Sequence, residues 1–234
     1  MTNHDFITLS VQDKEMDAYI ALPDGEGMFP AIIVLQEAFG VNQHIRNVAE
    51  RFCREGYVVI APDLFYRTAK RLEVSYTDFA SVKPHFAAIT NEGLEADLKA
   101  CYDWLQQQQN IDHEKTGSVG YCLGGRVSFL ANTVLPLAAG VSYYGGGVDA
   151  LADRAVNLNS PHLFFWGGKD THIQQENIDG IINAVKAAGK EYISTVISYA
   201  DHGFNCDERS SYHPLAAKEA WATTLQFFEN RLKS

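Results

Sequence analysis

At 234 residues, with 46% hydrophobic and 21% charged side chains, the chain is long enough to bury one sizeable core. That balance fits neither a disordered nor a membrane-spanning class. A formal net charge of −10 and an isoelectric point near 5.2, without any basic block, argue against nucleic acid or an anionic membrane as partner. The cysteines Cys53, Cys101, Cys122 and Cys206 show no C-x-x-C spacing, which fits a reducing compartment better than a disulfide scaffold or a metal site. No signal peptide is visible at the start. The expectation is a single domain over residues 1–234 in the cytoplasm.

Phe6–Val11 and Met16–Leu22 alternate at a period of two around the polar Gln12-Asp13-Lys14 and read as an antiparallel hairpin. Ala31–Leu35 is apolar on both faces and belongs inside a covered parallel sheet. A helical stretch over about His44–Glu55 and a strand over Tyr57–Asp63 continue the pattern. Residues 64–88 carry Arg67, Lys70, Arg71 and Lys83 without a clean period, and read as a long loop with short helices, for which a lid is one candidate role. Leu94, Leu98, Cys101 and Leu105 form an apolar stripe that predicts a helix over Glu92–Gln109. Thr116–Tyr121 follows as a strand.

Beyond it, a helix from about Gly124, strands over Ala138–Tyr144, His162–Gly168 and Tyr192–Tyr199, and helices over Ile173–Ala188 and Pro214–Leu232 complete the chain. Gly189 stands where a helix C-terminus favours glycine. The alternation predicts an α/β fold: a mostly parallel central sheet with helices on both faces and the hairpin at its N-terminal side. In such sheets chemistry gathers beyond the carboxyl ends of the strands.

Four residues sit there. Cys122, in Val119-Gly120-Tyr121-Cys122-Leu123-Gly124-Gly125, occupies the apex of a strand-to-helix turn whose crowding calls for Gly120 and Gly124. A thiol attacks as thiolate and therefore needs a base, and His202 in the last strand-to-helix loop is the candidate. Asp170 is the group that would orient the imidazole, with adjacent Asp201 a poorer choice on geometry. The order nucleophile, acid, histidine is that of an α/β-hydrolase triad. Glu37 follows the first buried strand, where Ala38 would supply one oxyanion-hole amide and Leu123 the other. Read singly, each has a plainer role: Cys122 an inert buried thiol, Asp170 a helix cap, Glu37 and His202 solvated loop residues. The remaining histidines, His162 and His172 among them, read as structural or solvated.

The chain resembles the dienelactone hydrolase family, thiol-bearing α/β-hydrolases that open enol-lactones. The resemblance is carried by Gln36-Glu37-Ala38-Phe39-Gly40, Ala61-Pro62-Asp63-Leu64-Phe65, Gly120-Tyr121-Cys122-Leu123-Gly124-Gly125, Trp166-Gly167-Gly168-Lys169-Asp170 and His202-Gly203-Phe204, spread over nearly the whole chain. It implies a Cys122-Asp170-His202 triad, Glu37 contacting the thiol at rest and moving when substrate arrives, and an oxyanion hole from Ala38 and Leu123. It further implies an arginine shortly after the catalytic histidine, and a second from mid-chain, on the substrate carboxylate. Here Cys206 stands four residues after His202, and Arg209, Arg67 and Arg71 are the remaining candidates.

Two functions follow from the same residues. The first is a monomeric hydrolase of small esters or lactones that needs no metal or organic cofactor, with dimerisation left open. The second is a non-catalytic, redox-sensing protein that uses Cys122 as a peroxide-reactive thiol. A serine esterase acting through Ser118 or Ser128 is disfavoured, because neither lies at the turn apex.

Overall fold

The computed structural model describes residues 3–234 and resolves into two compact units that divide between Gly117 and Ser118. In the first, β1 (Asn3–Val11) and β2 (Lys14–Leu22) form the expected antiparallel hairpin, closed at Val11 opposite Lys14, with Gln12 in the left-handed region at φ +55°. β2 then pairs antiparallel with β4 (Val58–Pro62), and β3 (Phe29–Leu35) pairs parallel with β4. Residues Ala31 to Leu35 and Val58 to Ala61 are fully enclosed, as their two-sided apolar pattern requires. Each such Val, Ile or Leu side chain contributes about 1.5–3 kcal/mol of burial free energy.

The helices of this unit have identifiable starts. α1 (Gln43–Arg54) is capped by the Asn42 side chain, which accepts the Ile45 N–H at 3.2 Å, and it buries Ile45, Val48, Ala49, Phe52 and Cys53 along one face. The stretch read as a long loop with short helices contains one, α2 (Phe79–Ala87), started by Asp78. Thr90 caps α3 (Asn91–Gln106), whose Leu94, Leu98, Cys101 and Leu105 are all buried.

β5 (Ile111–Tyr121) runs out of the first unit into the second and is five residues longer at its start than the sequence pattern marks. Its opening Asp112-His113-Glu114-Lys115 has no apolar alternation to reveal a strand. The second unit follows with α4 (Leu123–Val134), β6 (Ala139–Tyr143), a 3-10 helix over Val148–Asn157 that periodicity did not mark, β7 (His162–Gly167), α5 (Gln175–Ala187), β8 (Tyr192–Ile197) and α6 (Pro214–Leu232). β6, β7 and β8 pair in parallel, and the strand order is β1-β2-β4-β3-β5-β6-β7-β8. No described helix is long and apolar enough to cross a membrane.

Candidate active site

The turn between β5 and α4 is as tight as its glycines suggest. A Cβ on Gly120 would stand 1.8 Å from the Gly124 carbonyl oxygen, so only glycine fits there. Cys122 itself adopts φ +53° and ψ −114°, a conformation an L-residue holds only when its surroundings impose it. Its N–H donates to Tyr143 O at 3.0 Å, and its carbonyl accepts from Gly125 N–H at 3.0 Å. Gly125, to which the motif assigned no role, is as constrained: a Cβ there would meet Tyr143 O at 2.7 Å and Gly145 Cα at 2.8 Å. The thiol is left partly exposed at the positive end of α4, where Leu123 N–H opens the helix.

Two further glycines bring the other members together. Gly167 and Gly168, at the end of β7, lie so close to residues 198–201 that a Cβ would meet Ala200 O at 2.9 Å or Ser198 Cα at 2.5 Å. Gly168 N–H donates to Ile197 O and Lys169 N–H to Ala200 O, each at 2.8 Å. The loops carrying Asp170 and His202 are thereby zipped to each other.

Asp170 Oδ2 accepts from His202 Nδ1 at 2.7 Å, with both side chains almost entirely enclosed. Oδ1 accepts the His172 and Ile173 backbone N–H groups at 2.7 and 3.1 Å. The capping role and the orienting role therefore coexist, one oxygen for each. Asp201 instead accepts the backbone N–H of His202 at 2.6 Å and leaves the imidazole to Asp170.

The His202 ring packs against Tyr144 at 5.1 Å and His172 at 5.3 Å between centroids, and it hydrogen-bonds to Cys122. Burial pushes the imidazole pKa down. The negative charge of a Cys122 thiolate and the bonds to Asp170 and Cys122 outweigh that and raise it to about 10. Burial acts on Asp170 in the opposite sense to its hydrogen bonds. The His202 partner and the two backbone N–H donors prevail, holding its carboxyl below the ordinary range.

In the first unit, the residues after β3 are buried without exception from Gln36 to Asn42. Glu37 is fully enclosed rather than turned to solvent. Gln36 Oε1 accepts Leu64 N–H at 3.0 Å and its Nε2 donates to Glu37 O at 3.3 Å, fixing the segment that carries Ala38 against the exit of β4. Gly40, at φ +87°, admits the Leu72 carbonyl to within 1.7 Å of where a Cβ would stand.

The arginines divide. Arg67 makes two parallel bonds to Asp97, at 2.7 and 2.8 Å, and a third to Gly93 O. Arg71 Nε bonds Asp17 at 2.5 Å while its guanidinium stacks over Phe6. Both guanidinium groups are engaged in holding the 64–71 loop. In the second unit, Arg209 lies flat against Gly203, the residue after His202: a Cβ on Gly203 would meet its Cζ and Nη1 at 2.6 Å. Successive turns, Cys206 N–H to Gly203 O at 3.0 Å and Arg209 N–H to Cys206 O at 3.1 Å, bring it back there. None of Cys53, Cys101, Cys122 and Cys206 is in a disulfide.

The profile described as "Dienelactone hydrolase family" matches residues 16–232. The chain belongs to the dienelactone hydrolase family. A Synechocystis protein named "Putative carboxymethylenebutenolidase" is 32% identical over 97% of this chain and 96% of its own length. An Escherichia coli K12 protein of the same name is 34% identical over 96% of this chain and 86% of its own. Among solved structures, one titled as a putative dienelactone hydrolase from Klebsiella pneumoniae superposes with a TM-score of 0.88, at 32% identity, over 97% of this chain and 98% of that one. The α/β-hydrolase fold and the assignment as a dienelactone hydrolase-like enzyme of the carboxylic ester and lactone hydrolase class follow from these relationships.

Proposed function

We propose that this family member is a thiol-dependent hydrolase of small esters and lactones that works through Cys122. The observation that supports the reading best is the continuous chain from Asp170 through His202 to Cys122, assembled within one compact unit. With Nδ1–H committed to Asp170, Nε2 is the nitrogen available to the thiol. The raised imidazole pKa favours an imidazolium beside the sulfur at neutral pH, the proton donor that the acylation step needs.

The thiolate sulfur attacks the carbonyl carbon, and the carbonyl oxygen becomes the oxyanion. Leu123 N–H at the start of α4 takes up that charge. Collapse breaks the C–O bond, and the Nε2 proton passes to the leaving oxygen or, where that oxygen leaves as a stable anion, to solvent. Neutral His202 then removes a proton from water, which attacks the thioester, releases the acid and restores the thiol.

Of the three candidate arginines, Arg209 is carried forward as the group for a substrate carboxylate, because it lies against the residue that follows His202. The protein acts on this reading as a monomer in the reducing cytoplasm, where Cys122 persists as a thiol. The test is turnover of p-nitrophenyl acetate and of a small enol-lactone by wild type, Cys122→Ala and His202→Ala. Loss in both variants is expected, and turnover retained by either folded variant would falsify the assignment.

A further inference from the structure

The buried polar chain behind the nucleophile turn belongs to none of the steps above. It runs Ser160, Asn132, His162, Ser142, Gly125, all within the second unit, and every hydrogen on it can be placed. Gly125 O can only accept, so the Ser142 hydroxyl, 2.6 Å away, must donate its single proton there. Ser142 Oγ is then an acceptor, and the proton on its 2.8 Å contact with His162 sits on Nε2. At the far side, Asn132 Oδ1 accepts Ser160 N–H at 3.1 Å and the Ser160 hydroxyl at 2.8 Å. That fixes the amide and aims its Nδ2–H at His162 Nδ1, 3.2 Å away. Nδ1 faces a donor and must therefore carry no proton.

We infer that His162 is a positioning residue for the nucleophile: a permanently neutral imidazole in its Nε2–H form that keeps the Ser142 hydroxyl on the Gly125 carbonyl and so sets the first turn of α4. The inference rests on the reading of Cys122 as nucleophile.

The placement is enforced from several sides. A Cβ on Gly140 would stand 2.4 Å from His162 Nδ1, so glycine there makes room for the ring. Phe129 and Phe164 close over it at 5.5 and 4.5 Å between centroids. Burial pushes the imidazole pKa down to about 3, in keeping with a ring that never charges at neutral pH.

Strand β6 thus holds the turn at two points, Tyr143 O on Cys122 N–H and Ser142 Oγ on Gly125 O. Between them lies Leu123, whose N–H is the oxyanion donor of the proposed mechanism. A donor displaced by a fraction of an ångström loses much of its effect on a developing charge. The arrangement therefore acts on acylation and not on the thiol's intrinsic reactivity.

The experiment reads two reactions of the same sulfur in wild type, Ser142→Ala, Ser142→Thr and Cys122→Ala. Ester turnover needs the oxyanion donors, whereas alkylation by iodoacetamide, a displacement at saturated carbon, does not. In Ser142→Ala, kcat for p-nitrophenyl acetate is expected to fall about tenfold to a hundredfold, with KM and the alkylation rate within about twofold of wild type. Ser142→Thr, which keeps the hydroxyl, is expected to recover most of the loss.

Unchanged kcat in Ser142→Ala overturns the inference, and so does an equal loss of turnover and alkylation, which would mark general damage to the fold. Turnover retained by Cys122→Ala overturns the nucleophile reading first and this inference with it. A second measurement needs no variant. In nitrogen-15 histidine-labelled protein, His162 should show the neutral Nε2–H tautomer from about pH 5 to 8, and an imidazolium or Nδ1–H signal there overturns the assignment.

Discussion

Asp170 holds His202 with one carboxylate oxygen, at 2.7 Å from Nδ1, and its own turn with the other, at 2.7 Å from the His172 N–H. The two bonds separate under the right substitution. Asn keeps an oxygen for the turn but presents an NH2 to Nδ1, and the imidazole can bond to it only in the tautomer that turns the Nε2 proton toward the thiol. Asp170→Asn is therefore expected to fold normally and to lose about 10⁴-fold in kcat for p-nitrophenyl acetate, as an acid-to-amide change does in a Ser-His-Asp triad. Asp170→Ala should lose the turn bonds as well and unfold at lower denaturant concentration. A folded Asp170→Asn with near wild-type kcat would remove Asp170 from the triad.

The raised pKa of His202 depends on Cys122, and its sign can be tested. Because the folded value, about 10, lies above the ordinary 6.5, the folded state binds the proton more tightly than the unfolded state. The stabilisation is fully present below 6.5 and is lost as pH rises through the folded value. Cys122→Ser removes the thiolate charge, so the His202 titration followed by NMR is expected to move down toward the ordinary imidazole range. The stability gap between wild type and His202→Gln in urea unfolding should narrow as pH is raised over that window. A His202 titration that does not move in Cys122→Ser counts against the ion pair.

Arg67 gives a prediction of the opposite kind, stability without catalysis. Its two bonds to Asp97 neutralise a carboxylate that has no solvent exposure and whose pKa burial drives upward against the pull of Arg67. Arg67→Gln strands that charge, at a cost of about 3–5 kcal/mol in unfolding free energy. KM for a carboxylate-bearing lactone, measured well below the lowered melting temperature, is expected to stay at the wild-type value. A rise in KM with unchanged stability would return Arg67 to the substrate site.

Much of this was legible in the sequence, for physical reasons that differ by residue. The hairpin, the two-sided strands and the α3 stripe declare themselves because burial imposes a period. Cys122, Asp170 and His202 stand out because glycine-flanked strand ends have few alternative uses, and the structure joins the last two by a hydrogen bond. The opening of β5 was hidden, since Asp112 to Lys115 carry no apolar alternation. The commitment of Arg67 was hidden too: its partner Asp97 lies 30 residues away in a helix and, as a lone acid between apolar positions, looks no different from a solvated one. The same holds for Asn132, Ser142 and His162, whose polar side chains gain meaning only through one another. Local pattern reports what a residue avoids, water or strain, but not which distant polar atom it meets.

Arg209 carries the prediction that bears on substrate. Its guanidinium covers Gly203, which holds φ +77° beside the His202 imidazole, and Cys206 occupies the position where the family pattern implies an arginine. If the turns from Gly203 to Arg209 deliver the charge that the Cys206 position lacks, Arg209→Gln should discriminate between substrates by charge. A charge-assisted hydrogen bond to a carboxylate is worth about 1.5–3 kcal/mol, so KM for a carboxylate-bearing enol-lactone is expected to rise about tenfold or more. A neutral ester of similar size should be turned over as by wild type. Arg209→Lys keeps the charge but not the flat fork that lies on Gly203, and an intermediate KM is expected. Equal losses on the charged and the neutral substrate would instead mean that Arg209 serves the His202 loop by packing alone, and that any substrate carboxylate is held elsewhere.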